Sequence, residues 1–225
     1  MNLRKHTKHL LVMIVILTSG CAAMPPASLD EAAQRAPAKD LAISYQSNQN
    51  LLGMLAMAEK GVTIKTPTME IGPHNVNDVR TSLQSKQSTY EGAIEKRGYA
   101  SISGAYHTSA TPSCERTQGG WAIGTAGGAL VDLNIHQDGF NVKLAQNFVS
   151  ETKSHPVEVN GIVVENTLVF TDMMNSDFDY VGDIDNTTIT VRPDVDNIMA
   201  GWPKWDWKQP KKSDLSNCVI TLRKM

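Results

Sequence analysis

The sequence lacks the patterns that mark membrane-spanning helices, common hydrolases and metal sites. Its longest uninterrupted apolar run, residues 10–17, would rise only about 12 Å as a helix, against roughly 30 Å of bilayer hydrocarbon. It contains no His-Glu-x-x-His and no Gly-x-Ser-x-Gly motif. The aspartates between Asp172 and Asp196 do not follow EF-hand spacing, and aspartate is common in turns. We therefore expect no enzymatic activity, no metal and no cofactor.

An excess of positive charge is also missing. Residues 1–20 contain three basic side chains and no acidic one, and the rest of the chain has 18 Lys and Arg against 23 Asp and Glu. Nucleic-acid binding depends on a basic patch that displaces counterions from phosphates. We therefore expect no nucleic-acid partner.

The first twenty residues are typical of an export signal, because basic side chains precede a short apolar run. The next segment, Leu17-Thr18-Ser19-Gly20-Cys21, resembles the lipobox of bacterial lipoproteins, in which the cysteine is lipidated and becomes the first residue. The resemblance implies a signal peptide at residues 1–20 and a lipid anchor on Cys21. The alternative is an ordinary secretory signal followed by an unmodified Cys21.

Acyl chains on Cys21 would hold the protein on a membrane, since each buried CH2 contributes about 0.8 kcal/mol. In the lipoproteins that the motif resembles, a residue other than aspartate after the cysteine favours the outer membrane, and Ala22 stands at that position. We therefore expect a lipid-anchored outer-membrane protein, on either the periplasmic face or the cell surface.

Cysteine is scarce, and this restricts the possible pairing. With Cys21 lipidated, Cys114 and Cys218 are the two cysteines left, in a compartment where disulfides persist. We expect them to form a disulfide, which would close a loop of about 100 residues and contribute roughly 4 to 5 kcal/mol in the chain-entropy account. The alternative is two separate buried thiols.

Residues 21–40 are rich in alanine and proline, which predicts a tether between the anchor and the folded part. Ser28 has the capping-box spacing that could start a short helix within it. Apolar residues then follow helical spacing in two stretches, 41–61 and 75–97, which predicts a helical segment over residues 41–98.

Beyond Gly98 the pattern changes to alternation of apolar and polar residues, which predicts a β domain over residues 99–225. About eight strands are expected, from a first strand at 100–108 to a last one at 218–223. Turn dipeptides predict three hairpins, with turns at Asp138-Gly139, Glu165-Asn166 and Asp185-Asn186. Sequential antiparallel strands predict an up-and-down barrel, with a β-sandwich as the alternative.

Barrel closure would give the two cysteines a structural role. Cys114 lies just beyond the first predicted strand, and Cys218 opens the last one. These strands are neighbours in a closed barrel, so the bond would tie the seam where an open sheet would expose two edges.

The order of strands over roughly residues 99–225 resembles the lipocalin-like, or calycin-like, barrels. Gly119-Gly120-Trp121 matches the Gly-x-Trp motif of that family, and Thr171-Asp172 matches the start of its Thr-Asp-Tyr motif. The resemblance implies that a small apolar molecule or a protein surface is bound at the barrel mouth.

Three of the four tryptophans, Trp202, Trp205 and Trp207, fall within six residues. Flat aromatic surfaces flanked by Lys and Asp suit sugar rings, lipid headgroups or a protein partner, whereas the alternative is a lid that closes one barrel end. Our first hypothesis is a non-enzymatic lipoprotein whose barrel binds a small apolar or glycan ligand. The alternative is a component of an envelope secretion or cell-surface assembly that acts through protein contacts.

Lipidation at Cys21 can be measured directly. Labelled palmitate should enter the wild-type protein in cells and should not enter the Cys21→Ser variant, because the variant offers no thiol at the modification site. Equal labelling of the two proteins would contradict the anchor.

Overall fold

The computed structural model describes residues 28–65, 70–115, 125–126, 129–149, 154–171, 178–196 and 212–225. The chain divides into two compact units, residues 1–96 and residues 97–225. Within the described ranges, no helix is both long and apolar enough to cross a membrane.

The first unit is built from helices. It contains α1 (Leu29–Arg35), α2 (Ala38–Glu59), α3 (Val76–Arg97) and a short hairpin of β1 (Ile64–Lys65) and β2 (Glu70–Ile71). Helix α1 begins with the capping box that the sequence predicts: the Glu31 amide donates to Ser28 Oγ, and the Ser28 amide donates to the Glu31 carboxylate. Gly61 and Gly98, which follow the two long helices, both have positive φ, as expected of helix-terminating glycines.

Helices α2 and α3 are joined by apolar packing and by one buried polar contact. Their shared core includes Leu55, Val76 and Leu83. Beside it, the buried Asn48 amide donates to the Leu83 carbonyl at 2.9 Å and to Gln87 Oε1 at 2.7 Å. A buried amide needs its partners, so this contact favours one register of the helix pair over others.

The second unit is a closed antiparallel barrel of eight strands, which confirms the predicted fold class and excludes the sandwich. Each strand pairs with the next one in the barrel, and the last pairs with the first. The strands are β3 (Gly104–Ala110), β6 (Leu133–Asp138), β7 (Asn141–Val149), β8 (Ser154–Val164), β9 (Thr167–Thr171), β10 (Phe178–Asp185), β11 (Thr188–Pro193) and β12 (Ile220–Lys224). The smaller elements are α4 (Pro112–Glu115), β4 (Thr125–Ala126), β5 (Ala129–Leu130) and α5 (Lys212–Asn217).

Three hairpin turns follow the sequence prediction, two of them displaced by one residue. The loop at Glu165-Asn166 lies where it was predicted, whereas the other two are Gly139-Phe140 and Asn186-Thr187. In each loop the first residue has positive φ, at 60° for Gly139, 54° for Glu165 and 49° for Asn186. Glycine and asparagine tolerate this conformation best, so they open the loop and the preceding aspartate stays in the ladder.

The first barrel strand begins at Gly104 and not, as predicted, at Ala100. A side chain helps to hold the preceding residues. The Ile102 amide donates to Gln137 Oε1 at 2.7 Å, and Gln137 Nε2 donates to the Ala100 carbonyl at 3.0 Å. Tyr99 packs edge-on against Phe140, with ring centroids 6.1 Å apart. The incoming chain therefore covers this end of the barrel.

Glu165 holds the chain segment that enters the barrel, residues 97–100. Its backbone accepts from the Ala100 amide and donates to the Gly98 carbonyl, each at 2.8 Å. The Arg97 Nε donates to its carboxylate at 2.9 Å, and this hydrogen bond holds the pKa of Glu165 below its ordinary value. The ion pair is partly exposed, so it positions the chain more than it stabilises the fold.

Side chains fill the barrel interior. A contiguous buried cluster draws residues from all eight strands, among them Tyr106, Leu133, Leu144, Val163, Phe170, Tyr180, Val191 and Leu222. Phe170 and Tyr180 stack with ring centroids 5.2 Å apart. Gly161 faces Phe170 in the ladder, and a Cβ there would lie 2.9 Å from Phe170 Cβ. Gly161 therefore lets the two strands approach closely beside Phe170.

The Gly161→Ala variant tests how tightly this interior is packed. The added methyl group would also meet Val142 Cγ2 at 2.9 Å, and we expect the free energy of unfolding to fall by about 1 to 3 kcal/mol, as for other overpacked cores. Urea denaturation of the purified protein measures the change. The matched control is Gly92→Ala in α3, where nothing lies within 4 Å of the new Cβ; it should be neutral or stabilising by up to about 1 kcal/mol. Equal stability of Gly161→Ala and wild type would show spare volume beside Phe170.

Candidate functional site at the disulfide end of the barrel

The two ends of the barrel have different connections. At one end, which we call the short-turn end, two-residue loops join the three hairpins. The connections from β3 to β6, β7 to β8, β9 to β10 and β11 to β12 all leave the opposite end, because successive strands alternate in direction. We call this the disulfide end, since Cys114 and Cys218 lie there.

The sulfur atoms of Cys114 and Cys218 are 2.09 Å apart, which is disulfide bonding distance. Cys114 lies on α4, just after β3, and Cys218 lies between α5 and β12. Both residues are almost completely buried, at 3% and 1% exposure. Since β3 and β12 are paired neighbours, the two cysteines join the first and last strands of the barrel at the seam where the sequence places them.

Hydrogen bonds reinforce this seam beyond the strand ends. The Thr111 amide donates to the Val219 carbonyl at 2.9 Å, and the Val219 amide donates to Thr111 Oγ1 at 3.0 Å. Thr111 Oγ1 and Ser113 Oγ both donate to the Asn217 carbonyl, at 2.9 and 2.5 Å. We call these contacts of Thr111, Ser113, Asn217 and Val219 the seam clamp. No local sequence pattern predicts the seam clamp, because it depends on where two distant chain segments meet.

Two polar side chains lie buried on inward-facing positions towards the same end. Thr108 follows Tyr106 on the inner face of β3, and its hydroxyl donates to the Val131 carbonyl at 2.6 Å. Gln146 follows Leu144 on the inner face of β7 and is 4% exposed. The interior is therefore less apolar towards the disulfide end than in its middle.

An imidazole and a carboxylate meet on the outer wall of the barrel. His107 Nδ1 lies 2.8 Å from Asp132 Oδ1, with the two side chains 68% and 54% exposed. Such a contact orients an imidazole, as in catalytic and metal-binding histidines. In the part of the chain that is described, no serine, threonine or cysteine side chain is bonded to this ring. The alternation of apolar and polar residues places both side chains outward, but only the β3–β6 pairing brings them together.

A shallow depression of about 300 Å³ lies on the exposed side of the same two strands. Residues 103–105 and 134–137 line it, and Asn134 and His136 are exposed beside it. Its position on the wall separates it from the barrel mouth, where the sequence predicts a ligand.

Several of the acidic residues that gather late in the chain have ordinary partners. Arg192 donates to Asp183 at 3.0 Å, and Lys212 donates to Asp196 at 3.0 Å. No group of three or more His, Cys, Asp or Glu side chains that could hold a metal ion occurs among the residues described.

The other predicted site residues lie outside the described part of the chain. These are Cys21, Trp202, Trp205, Trp207 and the tryptophan of the lipocalin-like motif, Trp121. Residues 197–211, which carry the tryptophan cluster, stand between β11 and α5 in the sequence.

The stability that the disulfide supplies can be measured with Cys114→Ser/Cys218→Ser. We expect the double variant to fold and to lose about 4 kcal/mol of unfolding free energy, because its unfolded chain is no longer restricted by a loop of about 100 residues. Urea denaturation at 25 °C gives the value. Wild-type protein kept reduced is the matched control and should unfold at nearly the same urea concentration as the double variant. Equal stability of oxidised wild type and double variant would contradict the expected loss.

No protein family, no curated protein and no solved structure matches this chain.

Proposed function

We propose that the protein is a non-enzymatic envelope lipoprotein, anchored to the outer membrane through Cys21, that acts through protein contacts as part of a secretion or cell-surface assembly. The observation that supports this is the filled barrel interior. Its buried cluster spans all eight strands and leaves the centre of the barrel to the protein's own side chains.

Barrel size explains why the filled interior favours protein contacts over an internal ligand. Eight strands enclose a space that side chains can just fill, or that can hold one small ligand when those side chains are small. Here the stacked rings of Phe170 and Tyr180 occupy that space, and Gly161 lets the strands approach closely beside Phe170. A ligand in the middle of the barrel would have to displace this aromatic pair.

The outer wall offers polar groups that protein partners can use. Lys143 and Glu158 lie on neighbouring strands and are both more than half exposed. The exposed His107 and Asp132 lie on β3 and just before β6. Charged and hydrogen-bonding groups of this kind set the specificity of protein contacts more than their strength.

Native mass spectrometry of the detergent-extracted, lipid-anchored protein separates the two functional hypotheses. We expect the mass of the lipidated polypeptide with an empty barrel, and after mild cross-linking in cells we expect a stoichiometric complex with an envelope protein. A small molecule retained in one-to-one amount, with no protein partner, would overturn the proposal and support ligand binding at the mouth.

The control for the cross-linking is the secreted Cys21→Ser protein. If the contact is between proteins, the same partner should be captured without the anchor, at a yield reduced by the lower local concentration near the membrane. Loss of the partner together with the anchor would show that the two proteins only shared a membrane.

A further inference from the structure

The seam clamp connects the same two chain segments that the cysteines connect. Thr111 is the last residue before α4, and its amide continues the β3–β12 pairing by one more residue pair. Its hydroxyl accepts from the Val219 amide and donates to the Asn217 carbonyl. One side chain therefore uses both its donor and its acceptor capacity across the seam.

The clamp residues are immediate neighbours of the cysteines. Asn217 and Val219 flank Cys218, and the Cys114 amide donates to the Thr111 carbonyl at 3.0 Å. Thr111 Oγ1 also lies 3.6 Å from Cys114 Sγ. Fixing Thr111 against Asn217 and Val219 therefore fixes both cysteines relative to each other, by contacts that do not depend on the bond between the sulfurs.

Burial of the two sulfurs restricts when they can react with an external oxidant. Cys114 and Cys218 are 3% and 1% exposed, so a disulfide-bearing oxidant reaches one of them only while the seam is open. The second sulfur then has to be delivered from within the chain, and closing the seam does this.

We propose that the seam clamp closes the barrel before the disulfide exists, and that Thr111 is the positioning residue that delivers the second thiol. One thiolate attacks the oxidant's disulfide and forms a mixed disulfide, releasing one thiol of the oxidant. Closure then brings the other cysteine thiolate to this mixed disulfide; the Cys114–Cys218 bond forms and the oxidant's second thiol leaves. The oxidant gains the two electrons that the cysteine pair loses.

The test uses full-length Cys21→Ser protein, which keeps Cys114 and Cys218 as its two thiols, equilibrated with reduced and oxidised glutathione. The exchange is quenched and the free thiols are counted. The oxidised fraction gives the effective concentration of one cysteine thiol at the other. We expect Thr111→Val, which keeps the shape and removes the hydroxyl, to lower this concentration about tenfold, the value of one to two net hydrogen bonds. Thr111→Ser should restore it.

The matched control is Thr108→Val. It removes a hydroxyl from the neighbouring strand β3, where Thr108 is more deeply buried than Thr111, and that hydroxyl donates to the Val131 carbonyl. The control should leave the effective concentration unchanged even where it lowers stability. An unchanged value in Thr111→Val, or an equal loss in Thr108→Val, would overturn the proposal.

Hydrogen exchange of the reduced protein tests whether the seam closes without the bond. The Thr111 and Val219 amides should be protected in reduced wild type, since both are donors across the seam. Exchange at the rate of an unfolded chain would contradict closure. Should Thr111→Val fail to fold, Ser113→Ala removes the second hydroxyl on the Asn217 carbonyl together with its contact to Thr111 Oγ1. This variant keeps the Thr111 hydroxyl and should lower the effective concentration a few-fold; no change would contradict the clamp.

Discussion

Closure of β3 onto β12 is the constraint on which the rest of the barrel depends. These strands are the first and last of the ring, yet they must pair in one register, from Ala110 opposite Ile220 to Tyr106 opposite Lys224. Without this pairing the sheet would have two free edges, which attract other strands, and the inward side chains would lose their enclosing wall. The seam carries ladder bonds, side-chain hydrogen bonds and a cysteine pair because it joins segments that are distant in the chain.

Closure also fixes the volume that the interior side chains share. Two glycines leave space for neighbouring side chains. A Cβ at Gly161 would lie 2.9 Å from Phe170 Cβ, and Phe170 stacks on Tyr180. The Cβ that Gly182 lacks would meet Ile189 Cγ2 at 2.9 Å. Large side chains thus lie opposite glycines on neighbouring strands. As a result, the protein's own side chains fill the centre of the barrel.

Local patterns in the sequence were sufficient to predict the fold class, the number of barrel strands and the positions of the long helices. Alternation identified the strands, and glycines such as Gly61 and Gly98 marked the helix ends. The turn dipeptides gave all three hairpins but placed two of them one residue too early, because the residue with positive φ opens the loop. The predicted start of β3 was wrong, because no local sequence pattern indicates that Gln137 holds the incoming chain at Ala100 and Ile102.

Part of the candidate site was also predictable from the sequence, and part was not. The neighbouring positions of Cys114 and Cys218 followed from strand order alone, whereas the contacts of Thr111 and the meeting of His107 with Asp132 depend on which distant segments are adjacent. Hydroxyl and imidazole side chains occur throughout any sequence, so their pairing has no local signal. The tryptophan cluster and Cys21 stay predictions, because they lie outside the described residues.

The contrast between the two barrel ends has a consequence for how such a chain can change during evolution. Where a residue inserted into a two-residue loop such as Glu165-Asn166 displaces the strand pairing by one position, every side chain on the displaced strand moves to the opposite face of the wall. An insertion in a connection at the disulfide end, outside residues 111–114 and 217–219, need not change the register, because the seam and the short turns already determine it. We therefore expect inserted residues to be accepted more readily in the parts of the disulfide-end connections that lie outside the seam than in the two-residue loops.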